Sequence, residues 1–309
     1  MPAIITHHVF GEEAVTALPE GLIDGQEELL AFLLGNQGPD PFFARFSTLP
    51  AHIVACHRLG TEMHSSHVVD ALLAAREAVS RLPKEDGRVG KAFVLGLAAH
   101  YVLDSTAHPF IYAQQNAVIE ADPELLGSES EVHAVIESDI DSWVGWQSRH
   151  ATVLDNPPAS ELSRTDRVTQ VAGAIFSHVG RSVFGIEIDA SEYGRSVADF
   201  EFLYKLVEPA TSWRAHTVGL VERIFRQHSR VQAMAHYPTT SDECPAANLE
   251  GRKWADPHTG ETSHNSFADR YDIARMRWPQ FAQALVEGNR GLLEELCGGL
   301  NYDGKPVSE

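Results

Sequence analysis

The sequence predicts an all-α fold, a single multi-helix domain over residues 1–309, on three observations. Apolar residues recur at i, i+3 and i+4 in successive stretches, most plainly at Val68, Val69, Leu72, Leu73, Ala75, Val79 and Leu82. No run shows the sustained period-2 alternation of β-branched residues that marks a strand. Neither an internal repeat nor a linker long enough to separate domains interrupts the series, and 43% hydrophobic residues suffice for a sizeable core.

In chain order, a short helix over 4–18 carries His7 and His8 at its entrance and ends at Pro19 and Gly21. Asp24 reads as the N-cap of a helix from Gln26 to Leu34, which stops at Gly35-Asn36-Gln37-Gly38-Pro39-Asp40-Pro41, a rigid turn presenting one carboxylate. Helices from Pro50 to Gly60 and from Ser66 to Leu82 follow, with His64 just before the second. Lys91 to His108 is the central helix. Ser128 and Glu131 form a capping-box pattern opening a helix through Val132, Val135, Ile136, Ile140, Trp143 and Val144. Three further stretches, 160–178, 191–207 and 211–236, are helical in composition. Tyr237 to His264 has no helical periodicity, and a loop of that length is usually functional or disordered. Ser266 with Asp269 caps a last helix through Phe267, Tyr271, Ala274, Trp278, Phe281 and Leu285, and the tail after Leu300 reads as polar and loose.

Composition narrows the partners. The 43 acidic residues against 24 basic ones give a formal charge of -19, which repels phosphates of nucleic acid and anionic membrane surfaces, so no nucleic-acid partner is expected. No basic region followed by a long apolar run opens the sequence, and no stretch reaches the roughly 18 apolar residues of a transmembrane span. The three cysteines, Cys56, Cys244 and Cys297, are far apart and outside any C-x-x-C pattern, which fits a reduced, cytoplasmic setting. The unusual count is sixteen histidines.

His100, Asp104 and His108 are spaced four residues apart, which stacks them along one edge of the central helix. The two histidines are separated by roughly 12 Å of helical rise, against zinc to imidazole bonds of about 2 Å. One ion cannot easily take both, and a two-ion arrangement with Asp104 between them is the natural reading. Pro109 disfavours helical geometry at the residue before it, so a break is expected at His108, freeing that side chain from the stripe. His133 and Glu137 repeat the i, i+4 ligand spacing on the following helix, and metals in helical bundles are typically held by such inward-facing pairs. One pair alone would read as a surface contact worth a few tenths of a kcal/mol. Two pairs plus His108, in an otherwise apolar span, favour a metal. Taken singly, His64 is an ordinary partly buried histidine and Asp40 an ordinary turn residue. His52, His57, His67, His150, His178, His216, His228 and His236 read as surface or packing residues, and Phe42, Phe43 and Trp278 as core.

Thr6-His7, Gly38-Pro39-Asp40, Gly60-x-x-Met63-His64, His100-x-x-x-Asp104-x-x-x-His108-Pro109 and His133-x-x-x-Glu137, in that order, resemble the bacterial zinc-dependent phospholipase C family. The Trp254-x-x-Pro257-x-x-Gly260 loop followed by Ser266-Phe267 resembles that family's less-characterised members. The likeness covers residues 5–145 well and the last third weakly. It implies an all-helical domain of the phospholipase C and P1 nuclease type, two or three zinc ions, and hydrolysis of a lipid or small-molecule phosphodiester. By that similarity His64, His100 and Asp104 hold one ion, and His108, His133 and Glu137 a second. Asp104 bridges to a third, completed by His7, with His8 the alternative, and Asp40 serves as ligand or general base. Secreted members begin on a tryptophan whose amine binds the third ion, whereas here Met1-Pro2 opens the sequence. The expected activity is that of a zinc-dependent phosphoester hydrolase. A single-strand nuclease-like phosphodiesterase and a non-catalytic metal-binding helical protein are the alternatives.

Overall fold

The amphipathic stretches fold as helices in a computed structural model that describes residues 4–223 and 227–307. In order these are α1 (Ile4–Thr16), α2 (Gln26–Gly35), α3 (Pro50–Ser65), α4 (Val68–Arg81), α5 (Gly87–Ala121) and α6 (Glu129–Arg149). They continue as α7 (Asp166–Val183), α8 (Ser191–Val207), α9 (Trp213–Glu222), α10 (Arg230–Ala233), α11 (Phe267–Glu287) and α12 (Arg290–Cys297). The fold class is all-α. The only strands among the described residues are β1 (Trp254–Ala255) and β2 (Thr262–Ser263), an antiparallel hairpin pairing Trp254 with Ser263. No described helix is long and apolar enough to cross a membrane.

The chain divides into two compact units. The first comprises Met1–Val9, Thr106–Glu161 and Glu201–Ile273; the second comprises Phe10–Ser105, Leu162–Phe200 and Ala274–Glu309. In the second unit the stripe at 68–82 becomes α4, which buries Val68, Val69, Leu72, Ala75 and Val79 and packs against α7. Helices α2 and α5 cross so closely that a Cβ on Gly96 would lie 2.0 Å from the Phe32 carbonyl, and one on Gly35 2.3 Å from that of Phe93. Only glycine permits this approach. Around the crossing, Phe93 meets Phe176 at 5.6 Å and Phe32 meets Trp278 at 6.0 Å, all fully buried, each worth roughly 1.5–3 kcal/mol relative to exposure.

In the first unit, both oxygens of the fully buried Asp141 accept the amides of Ile5 and Thr6 at 2.9 Å, satisfying donors that the first turn of α1 leaves unpaired. Asp141 also accepts from His236 Nε2 at 3.1 Å, and His236 Nδ1 lies 2.6 Å from Glu208. His236 is therefore neither surface nor ordinary packing; it is the centre of a buried carboxylate, imidazole, carboxylate chain.

Several sequence expectations need correction. The helix does not break at His108: α5 runs 35 residues with Pro109 inside it. Proline removes one amide and crowds the carbonyl four residues back. In the same turn, the Thr106 carbonyl takes an external donor, Arg270 Nε at 2.7 Å, and the flanking Phe110 and Ile111 are buried. Gly25, not Asp24, caps α2, because Glu28 reaches back to accept the amides of both residues. Ser128 makes no side-chain cap, and the stretch over 211–236 is two helices with residues 224–226 outside the described part. The tail is not loose: Asn301 and Tyr302 are buried.

Candidate metal centre

The turn after α2 is shaped to deliver Asp40. Gly38 adopts φ +55, and a Cβ there would sit 2.3 Å from the His100 ring, so the turn lies directly against that imidazole. Downstream, Phe42 inserts between Phe176 at 5.1 Å and Tyr193 at 5.3 Å, while Arg45, 2% exposed, donates to Glu192 at 2.7 Å and Asp199 at 2.6 Å. Tyr193 donates its hydroxyl to the Gly38 carbonyl at 3.1 Å. The turn is pinned on three sides.

Asp40, His64 from α3 and His100 from α5 converge in the second unit. His64 Nε2 lies 3.0 Å and His100 Nε2 3.9 Å from Asp40 Oδ1, and His100 Nε2 also lies 3.2 Å from Asp104 Oδ2. Atoms that each stand about 2 Å from one tetrahedral zinc are about 3.3 Å apart, so these separations suit a shared ion. The far side of each ring carries the stronger argument. His64 Nδ1 meets the Gly60 carbonyl at 2.7 Å and His100 Nδ1 the Asn36 carbonyl at 2.9 Å. A carbonyl only accepts, so each Nδ1 carries the hydrogen, and in the neutral imidazole Nε2 keeps its lone pair. Such second-side bonds are how metal-ligating histidines are held.

Burial would raise the pKa of Asp40, yet positive charge around it holds its carboxyl below the ordinary value, with His64 and His100 among the contributing groups. Tyr302 packs its ring 4.8 Å from His64 and 5.7 Å from His100, and its amide donates to the His64 carbonyl at 3.2 Å. Burial, then the nearby Asp104 and Asp40 carboxylates, push its phenol up, so it is neutral there.

A second group forms in the first unit, where α5 supplies His108 and α6 supplies His133 and Glu137. Both Nε2 atoms approach Glu137 Oε1, His133 at 3.2 Å and His108 at 3.4 Å. His133 Nδ1 lies 3.0 Å from Gln115 Oε1, and a hydrogen on Nδ1 donated to that oxygen leaves Nε2 with its lone pair. Burial would raise the Glu137 carboxyl, but the His133 and His108 imidazoles hold it well below the usual range. No helix break is needed for His108 to reach this group. Eight residues along α5 rotate it only about 80° from His100 while carrying it roughly 12 Å along the axis.

The segment over 237–264 packs on the α5 residues next to this group. Trp254 packs on Phe110 at 5.5 Å, and its indole donates to the Asn265 carbonyl at 2.9 Å. His258 then lies 5.7 Å from Tyr112, whose ring is 4.9 Å from His133. His7 is buried on α1, 3% exposed, while His8 turns to Glu161, with Nδ1 3.1 Å from its carbonyl and Nε2 3.1 Å from its carboxylate. A further group, His52, Asp189 and Glu192, lies apart from the motifs, and its Glu192 is already engaged by Arg45. Sequence reasoning missed Tyr302 and Gln115; Tyr302 follows Leu300-Asn301 in a polar tail, and Gln115 gave no signal beyond its place on α5.

No curated protein and no solved structure matches the chain. The profile of one family, described as zinc dependent phospholipase C, does match, over residues 6–177. That span is more than half of the 309 residues and holds both histidine and carboxylate groups together with the Asp40 turn. On that match, and with an all-α fold class, the chain belongs to the zinc-dependent phospholipase C family.

Proposed function

We propose that this protein is a zinc-dependent phosphodiester hydrolase that acts on a lipid or small-molecule phosphoester. The observation that carries the reading is that three buried or half-buried imidazoles are locked through Nδ1 onto acceptor oxygens while their Nε2 atoms converge on carboxylates. Asp40, His64 and His100 would hold one ion, with Asp104 at its side, and His108, His133 and Glu137 a second. His7 is assigned to a further ion. Zinc in such sites lowers the pKa of water to about 7 and offsets charge gathering on the phosphoryl oxygens.

The chain's own residues do the rest. Asp40, ionised at neutral pH, accepts the proton of the attacking water on a carboxylate oxygen. The Gly60, Asn36 and Gln115 oxygens keep the three rings in register, so ligand geometry is set before substrate arrives. Tyr302 stays protonated and shields one face of His64 and His100 from water. The 237–264 segment backs Phe110 and Tyr112 through Trp254 and His258, and Tyr112 in turn packs on His108 and His133. All three cysteines are free and buried, in keeping with a reduced, cytoplasmic compartment.

Purified protein should carry two or three zinc ions per chain and hydrolyse a phosphodiester chromogen in a way that chelation abolishes and zinc restores. Metal-loaded protein inert on diesters and monoesters alike would overturn the hydrolase and leave a non-catalytic metal-binding protein.

A further inference from the structure

Helix α9 departs from the charge pattern of the whole. Over residues 209–236 the sequence has four arginines against a single carboxylate, Glu222, although the chain as a whole is formally -19. Glu222 is itself engaged, accepting from the Ser229 hydroxyl and from the Val231 amide at 3.0 Å.

The helix is apolar on both sides. Ala215 and Gly219 are buried on its inner face, and Val218 packs with them against a core of Val207, Ala210 and Ala235. On the outer face Trp213 is 75% exposed, Leu220 66% and Val221 55%. At about 100° per residue, Trp213, Thr217, Leu220 and Val221 fall within an arc of about 100°. They form one stripe along the helix. Arg214 and His216 lie at its two edges, both exposed, and exposed Arg223 follows its C-terminal end. Among the described residues, neither Arg223 nor Arg230 is paired with a carboxylate.

We propose that α9 docks the protein on an anionic lipid surface. Trp213, Leu220 and Val221 would enter the boundary between headgroups and acyl chains, and Arg214 and Arg223 would meet lipid phosphates. An exposed apolar stripe carrying tryptophan, with Arg214 along one edge and Arg223 at its end, is the arrangement that suits a helix lying in a bilayer interface. Anionic lipid is favoured over a protein partner because the segment's positive charge stands out against a negative chain and is matched by a surface of phosphates. Such docking concerns a surface outside the metal ligands, so it fails or holds independently of the hydrolase chemistry.

The test is co-sedimentation of the zinc-loaded full-length protein with phosphatidylglycerol vesicles, using phosphatidylcholine vesicles as the neutral control. Partitioning should be at least about tenfold stronger on the anionic vesicles, should weaken as salt is raised, and should shift tryptophan emission to the blue. The Trp213→Ala/Leu220→Ala variant should lose about tenfold in partitioning while keeping its zinc content, its helical circular dichroism and its turnover of a soluble diester. Equal partitioning on both vesicle types, or a double variant that binds as tightly as the parent, would overturn the proposal. So would a concentration-dependent dimer that the double variant converts to monomer, since the stripe would then be an interface between copies.

Discussion

His236 gives a pH-dependent prediction whose magnitude follows from its surroundings. The ring is fully buried, with Nε2 3.1 Å from Asp141 and Nδ1 2.6 Å from Glu208. Burial alone would lower its pKa, but the hydrogen bonds and charges of Asp141 and Glu208 outweigh it and push it up to about 9 from 6.5. A folded-state pKa above the unfolded one adds stability that is fully present below about pH 6.5 and is lost as pH rises through about 9. At about 1.4 kcal/mol per unit, the raised pKa corresponds to about 3 kcal/mol. His236→Gln removes the cation and leaves two buried carboxylates facing a neutral amide, a change expected to cost about 3–5 kcal/mol near neutrality. Urea unfolding of both proteins at about pH 6 and about pH 9.5 measures this directly, and the gap between them should shrink by about 3 kcal/mol at the higher pH. A gap of the same size at both pH values would refute the charged-imidazole assignment.

The other predictions concern the metal groups. Gln115→Leu removes the acceptor that fixes the His133 tautomer and should weaken zinc at His108, His133 and Glu137 by about 10–100-fold in a competition titration, with the other group unchanged. Gly38→Ala forces a Cβ against the His100 ring at φ +55 and should cost about 2–4 kcal/mol in urea unfolding together with one zinc ion by elemental analysis; full zinc content would contradict the packing. Asp104→Asn should lose more than one ion, and loss of a single ion would break the bridging argument.

How far the sequence was legible depended on the range of the contacts. The i, i+4 pairs on α5 and α6 were readable because a helix carries such partners on itself, and the Ser266 cap was readable because Asp269 lies three residues away and bonds it. The α4 stripe was readable for the same reason. Pro109 misled, because local sterics favour a break, whereas the helix is held by distant packing: the buried Phe110 beside it stacks on Trp254 and Phe267, far along the chain. His236 offered no signal, its partners lying 28 and 95 residues away. Tyr302 was hidden likewise: a lone aromatic in a polar tail is read as exposed until the fold places His64 and His100 beneath it. The β1–β2 hairpin was too short for any alternation to register.

Anomalous scattering at the zinc edge on one crystal of the purified protein tests the central claim most directly. It should show one ion among Asp40, His64 and His100, and a second among His108, His133 and Glu137, each with a coordination position open to solvent as hydrolysis requires. An absence of ions at both groups would contradict the metal centre itself, and fully closed coordination by protein side chains would contradict catalysis.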